Sequence, residues 1–425
     1  MNLSPSVSSD LRLRRDQGTG RLLTLALFLL GPLVYAAPLS TAILLPITVL
    51  AAGLVARREG AMDWAGIGRF LALWLPFFTL MLASALWALD GAAAIALALR
   101  LILVMALGMA LVRWSRDLGP AWPGRLLPVL AWGLILANLF VLADILLGGA
   151  ISRHTHGPRV NFDFVVYYGR GATIHAILLA PLGWGLWRGG ARRLAIAQLA
   201  LAVVCILATH DLSAKTALGG GIAGGLAILA LPRLRWAFLA LVALVALGLP
   251  LAFPVQLAPA QECWMFAHKK SALHRIYIWD FVTQQIAERP LLGWGLDAAR
   301  RMPGGQDTVT LGQGCPEASP VVGQKLPLHP HNAILQTWLE LGGAGIVLGF
   351  GALVLTLGRA YAGRRRVAAA ALMAASVAGT LVALVSYGVW QEWFLSALML
   401  AAAVAALAVR QDEIATVGPT DGRPG

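Results

Sequence analysis

Apolar runs of membrane-spanning length recur along the whole chain, near residues 21–36, 37–56, 68–89, 91–112, 126–147, 171–187, 194–209, 216–232, 236–253, 332–357, 367–389 and 391–409. A helix of about 20 apolar residues crosses the hydrocarbon layer of a bilayer, so the pattern predicts an all-α polytopic membrane protein with about twelve transmembrane helices. The balance of 59% hydrophobic to 12% charged residues, with a mean hydropathy of +0.75, gives more apolar surface than one soluble core can bury.

The formal net charge is +13, a value that elsewhere suggests nucleic acid. Here the cations lie between apolar runs rather than on one face, so no nucleic-acid partner is expected. With the N-terminus inside, the alternate connections carry Arg57, Arg58 and Arg69; Arg113, Arg116 and Arg125; Arg188, Arg192 and Arg193; Arg233 and Arg235; and Arg359, Arg364, Arg365 and Arg366. Each such connection is basic, as the positive-inside rule requires. Residues 1–20 then read as a cytoplasmic tail without a signal-peptide cleavage pattern, and 410–425 as a second tail. Spans one to nine fill 21–253, with a short basic outer loop at 148–170. A large periplasmic loop at 254–330, containing amphipathic helix, is expected to be catalytic, and the last three spans fill 331–409. Cys263 and Cys315 both fall in that loop; in an oxidising compartment they pair as a disulfide, and otherwise they remain two thiols.

The outer loops break the charge rule. They hold Arg153, Arg159, Arg170, Lys215, Lys269, Lys270, Arg275, Arg289, Arg300, Arg301 and Lys325, and positive charge on that side calls for an anionic ligand. The doublets Lys269–Lys270 and Arg300–Arg301 read more simply as contacts with lipid headgroups or solvent. The stretch "SALHRIYIWDFVTQQIAERP" reads as an amphipathic surface helix capped by Ser271 and stopped at Pro290, with Ile278, Phe281, Val282 and Ile286 at helical spacing. Arg275 in its first turns is placed to meet a phosphate at the bilayer surface. Arg100 lies inside a span, where an unpaired charge costs at least about 2.5 kcal/mol, so a partner in the bundle is expected.

In "LPLHPHNAILQTWLELGGAGIVLG" a polar turn holding His329, Pro330, His331 and Asn332 opens an apolar helix. Free N–H groups at that helix start favour an anion, and the helix dipole keeps His331 neutral and able to accept a proton. Asn332 is expected to orient a substrate hydroxyl or fix the imidazole tautomer. His329 reads equally as a structural residue or a substrate contact. Gly342, Gly343, Gly345 and Gly349 are expected to admit neighbouring helices. No Asp-x-Asp motif, metal-ligand spacing, Walker sequence or dinucleotide fingerprint occurs in the outer loops, so neither metal nor cofactor is expected.

The spacing of His331 and Asn332 to Gly342 and Gly345, the twelve-span layout and the segment "HRIYIWDFVTQQIAERPLLGWG" resemble the O-antigen ligase family. Its wider superfamily includes O-antigen polymerases and bacterial protein O-oligosaccharyltransferases. At the start of the eighth span, Ser213-Ala214-Lys215 departs from the Ser-Arg of many relatives. The resemblance implies a multi-pass protein of the bacterial inner membrane with its active site facing the periplasm. It implies transfer of O-antigen from undecaprenyl diphosphate to the lipid A core oligosaccharide, by an inverting, metal-independent mechanism. His331 would be the general base and Arg275 the diphosphate partner, with Arg153, Arg159, Arg170, Lys215, Asn332 and His329 binding substrate. The alternatives are a polymerase or protein transferase of the same superfamily and, from another class, a transporter or flippase of an anionic lipid-linked substrate, which would need no base.

Overall fold

The computed structural model describes residues 17–59, 64–156, 163–252, 257–315 and 319–417. Arg159 lies outside them. The helices are α1 (Gln17–Ala36), α2 (Thr41–Glu59), α3 (Trp64–Ala83), α4 (Gly91–Asp117), α5 (Pro123–Leu146), α6 (Ala150–His156), α7 (Gly169–Arg188), α8 (Arg192–Ala208), α9 (Leu212–Ala230), α10 (Leu234–Gly248), α11 (Pro259–Glu288), α12 (Ala333–Gly345), α13 (Gly351–Tyr361), α14 (Arg366–Val385) and α15 (Glu392–Val417). A two-stranded antiparallel sheet pairs β1 (Thr308–Leu311) with β2 (Val321–Gln324).

Among the described residues, ten helical segments are long and apolar enough to cross a membrane, with α12 and α13 forming one of them, Ala333–Tyr361. The chain is a multi-pass, all-α membrane protein. The sequence pattern predicts spans at 171–187 and 194–209 as well; the helices there, α7 and α8, are not among these ten but pack into the bundle, α7 against α8, α14 and α15, and α8 against α5. Small residues set the closest approaches, as lipid-embedded helices require. A Cβ added to Gly31 of α1 would fall 2.2 Å from the carbonyl carbon of Gly133 on α5, so only glycine allows that crossing. Arg100 of α4 finds its partner in Glu392, the first residue of α15, with Nε to carboxylate at 3.0 Å.

The segment between α10 and α12 builds its own small core. Ile278, Val282 and Ile286 form one stripe of α11 and are buried against Met302, Leu326 and Leu339. Burying each such side chain contributes roughly 1.5–3 kcal/mol, enough to seat α11 on the start of α12. The helix starts earlier than its sequence pattern indicated. It opens at Pro259, a residue suited to a first helical turn, and Ser271 is not its cap. Its backbone instead breaks at Lys269 (φ −147°, ψ 54°), just before the amphipathic stretch. A disulfide between Cys263 and Cys315 ties the first part of α11 to the end of the β1 region.

Candidate active site

The turn before α12 is held from three sides. The indole N–H of Trp279, one turn beyond Arg275 on α11, donates to the Pro330 carbonyl at 2.7 Å. Asn332 then caps α12, its Oδ1 accepting from the N–H groups of Ile334 and Leu335, both at 3.0 Å. The expected roles of this helix start therefore change, because Asn332 itself takes up the N–H groups that were to favour an anion. Between these anchors His331 adopts φ 55°, a left-handed conformation shared among described non-glycine residues only by Asp297 (φ 66°). Such strain persists where surrounding contacts impose it, and it concentrates at functional sites.

His331 faces a carbonyl that sequence reading did not identify. Its Nδ1 lies 2.6 Å from the carbonyl oxygen of Ser386, in the connection between α14 and α15. A carbonyl only accepts, so Nδ1 carries the proton and the neutral ring presents its lone pair on Nε2. Tautomer selection thus falls to Ser386 rather than Asn332. The backbone N–H of His331 donates to Nδ1 of His329 at 3.2 Å, and the two rings sit 4.3 Å apart. His329 is 7% exposed and lies 3.2 Å from Gln391 through its Nε2.

Burial is the main reason both imidazoles stay neutral. It pushes His331 below the usual range; the Ser386 hydrogen bond opposes this, while Arg275 and His274 add to it. His329 is pushed down to about 3, first by burial and then by His331, Arg300 and Arg275. The helix dipole invoked from sequence is not needed for either.

Arg275 is the arginine that acts on both rings. Burial pulls its guanidinium below the usual range, and Asp211 and Tyr387 pull it back. Its Nε is buried without a hydrogen-bond partner. Asp211 caps α9, accepting from the N–H groups of Ser213 at 2.7 Å and Ala214 at 3.1 Å. Its carboxylate also abuts the first residue of α7, where a Cβ on Gly169 would fall 2.5 Å from Oδ2. The starts of α7 and α9 therefore meet beside Arg275, with Arg170 on one and Lys215 on the other. Arg170 is exposed, lies over the Trp393 ring at 5.9 Å and acts on Tyr387. His210, beside Asp211, pairs with Asp163.

Several of the other outer cations have partners of their own. Arg153 stacks over Phe164 at 5.6 Å, Lys270 over Phe266 at 4.7 Å and Arg289 over Trp294 at 4.0 Å. The Arg300–Arg301 doublet, read from sequence as a headgroup or solvent contact, is bound to carboxylate. Arg300 pairs with Asp297 at 3.1 Å, and Arg301 bridges Asp297 at 2.7 Å and Asp90 at 3.1 Å.

The glycines between 342 and 349 divide in their roles. Gly349 does admit a neighbouring helix, its Cβ position lying 2.7 Å from the Phe77 ring of α3. Gly342 instead breaks α12 (φ 63°, ψ −164°) and receives a turn, its Cβ position lying 2.4 Å from the carbonyl carbon of Leu291. The backbone groups freed by the break are taken up by that turn. Gly343 N–H donates to Pro290 at 2.8 Å and Ala344 N–H to Leu291 at 3.1 Å. In return Trp294 N–H donates to Leu339 at 2.9 Å and Gly295 N–H to Glu340 at 2.8 Å. This exchange gives the distant Gly-Trp-Gly turn and the Gly342 position a shared reason.

Chemically, the site offers a neutral imidazole nitrogen with a free lone pair beside a partly buried guanidinium. Such a pair can accept a proton from a hydroxyl and hold an anion. Among the described residues no three His, Cys, Asp or Glu side chains form a group able to hold a metal ion.

Comparison with known proteins finds similarity over the part of the chain that holds these residues. Residues 197–350 match the family model described as O-antigen ligase, a stretch that includes Asp211, Lys215, Arg275, His329 and His331. Three rickettsial proteins, each named "putative polysaccharide ligase", are similar. That of Rickettsia conorii is 32% identical over 206 residues, 47% of each chain. That of Rickettsia felis is 31% identical over 218 residues, 50% of this chain and 51% of its own. That of Rickettsia prowazekii is 32% identical over 206 residues, 46% and 48% respectively. The chain spans about half the length of the curated relatives it matches. By these matches residues 197–350 are similar to the O-antigen ligase family.

Proposed function

We propose that this protein is a glycosyltransferase that moves O-antigen polysaccharide from undecaprenyl diphosphate to the lipid A core oligosaccharide, at the periplasmic face of the bacterial inner membrane. The observation that carries the reading is the fixed tautomer of His331: Nδ1 is committed to Ser386, and Nε2 is left to accept a proton beside Arg275.

In this reading Nε2 takes the proton of the acceptor sugar hydroxyl as its oxygen attacks the anomeric carbon. The bond from that carbon to the diphosphate oxygen breaks, and the electron pair leaves with the lipid diphosphate. Attack opposite the leaving group inverts the anomeric centre. Arg275 holds the diphosphate and stabilises the charge that grows on it, with Arg170 and Lys215 at the adjoining helix starts and Arg153 and Arg159 as further cations that bind the substrate. His329 and Asn332 act on the reaction by shaping the turn that presents His331. A diphosphate leaves readily, so positive charge and one base meet the chemical need, and the reaction proceeds without a metal.

The test is a transfer assay run in EDTA with lipid-linked glycan, with and without lipid A core. Glycan-bearing lipid A that forms only with the acceptor supports the ligase. Chain extension in its absence means a polymerase, and glycan translocation without any transfer means a flippase.

A further inference from the structure

We propose that Glu340 is a positioning residue which, through Gln336, seats the 386–391 segment so that the Ser386 carbonyl fixes the His331 tautomer. This rests on the reading of His331 as base and adds a residue whose place in the reaction that reading leaves open.

Glu340 lies one turn beyond Gln336 on α12, and both are buried, at 0% and 4% exposure. A carboxylate within a span is rare and calls for a function. Its Oε2 accepts from the N–H of Asp297 at 2.5 Å, and its Oε1 accepts from Nε2 of Gln336 at 3.1 Å. The other end of the Gln336 amide, Oε1, accepts from the N–H of Val389 at 3.0 Å. Gly388 fits between, its Cβ position falling 2.9 Å from the His329 ring and 3.2 Å from Gln336 Oε1. Two residues before Gly388, the same segment presents the Ser386 carbonyl to His331. A single relay of three hydrogen bonds thus joins Asp297 to the strand of chain that orients the imidazole.

The relay has a fixed direction because both of its ends are backbone N–H donors. Val389 requires an oxygen from Gln336, which turns the Gln336 NH2 toward residue 340. That residue must then accept at both of its terminal atoms, and at this side-chain length only glutamate does so. Glu340→Gln places an NH2 against either Gln336 or Asp297 and leaves one buried donor without an acceptor. The pair Glu340→Gln with Gln336→Glu restores every bond with the charge moved one turn. Gln at 340 accepts from Asp297 and donates to Glu at 336, which also accepts from Val389.

The experiment compares wild type, E340Q, E340Q/Q336E and H331A in the purified full-length protein, reading transfer rate, its pH profile and thermal midpoint. E340Q is expected to lower kcat by about 10- to 100-fold, the usual effect of losing a group that orients a site residue. Its acid limb moves to lower pH, since the Ser386 bond opposes the other influences on His331, which come from burial, Arg275 and His274. E340Q/Q336E is expected to recover both rate and profile. Wild-type rate and profile in E340Q overturn the proposal while leaving an inactive H331A, and the base reading, intact. A lowered midpoint in E340Q with no recovery of rate or profile in the double variant makes Glu340 merely structural and also overturns it. Transfer by H331A removes the base reading and this proposal with it.

Discussion

The carbonyl oxygen of Ser386 holds Nδ1 of His331 at 2.6 Å across 55 residues of sequence. That bond turns a strained histidine at the mouth of a membrane helix into a ring with one defined free nitrogen. It also joins two parts of the chain, the turn before α12 and the connection into α15, that must move together for the site to change.

His331→Asn keeps a polar side chain but removes the proton-accepting Nε2. Transfer is expected to fall by about 10²- to 10⁴-fold, the range for loss of a general base. The thermal midpoint in detergent should stay within a few degrees, because Asn is among the residues that tolerate φ 55°. A large drop in the midpoint would mean that the ring is needed for folding.

The pH dependence follows from the same ring. His331 lies below its ordinary range, so it is neutral and able to act as base down to pH values below about 6.5. The rate is retained above its folded-state pKa and lost as pH falls through it. Arg275 is one cause of the lowering, so Arg275→Ala should move the acid limb upward, toward that of a free imidazole, in kcat/KM profiles.

Arg275→Lys keeps the charge but replaces a planar fork by a single ammonium. It is expected to weaken donor binding, and the KM for lipid-linked glycan should rise about tenfold with the acceptor KM unchanged, consistent with loss of one charge-assisted bond of about 1.5 kcal/mol. Equal changes for both substrates would place Arg275 elsewhere than at the diphosphate.

Gly342→Ala is expected to destabilise the protein, since φ 63° with ψ −164° is accessible essentially to glycine alone. The backbone term is about 1–3 kcal/mol, and the added methyl also meets Leu291. Thermal unfolding and limited proteolysis within 289–297 would register it. Gly343→Ala, whose φ is not positive and whose nearest Cβ contact is at 3.3 Å, should cost much less.

Much of this architecture was legible because its signals are local. Hydropathy found the spans, and a Pro-rich turn running into an apolar helix found His329, His331 and Asn332. Part of what sequence reading missed came from contacts far apart in the chain. Ser386 offers only a backbone carbonyl, which no side-chain pattern reveals. Asp211 belongs to no motif, and only the fold sets it within electrostatic reach of Arg275. Asn332 differs, because the bond missed there is local: its Oδ1 accepts from Ile334 and Leu335 and so occupies N–H groups that the sequence leaves free for an anion. Arg300 and Arg301 read as surface cations, although Asp297 lies within one turn of both; only Asp90 is brought in from a distant part of the chain.

The central claim is that Nε2 of His331 carries out glycan transfer as the base. Its most direct test is acceptor-dependent transfer from undecaprenyl-diphosphate-linked glycan to lipid A core, measured in EDTA for wild type and His331→Ala. Glycan-modified lipid A is expected with the wild type and none above background with the variant. Full transfer by His331→Ala would contradict it.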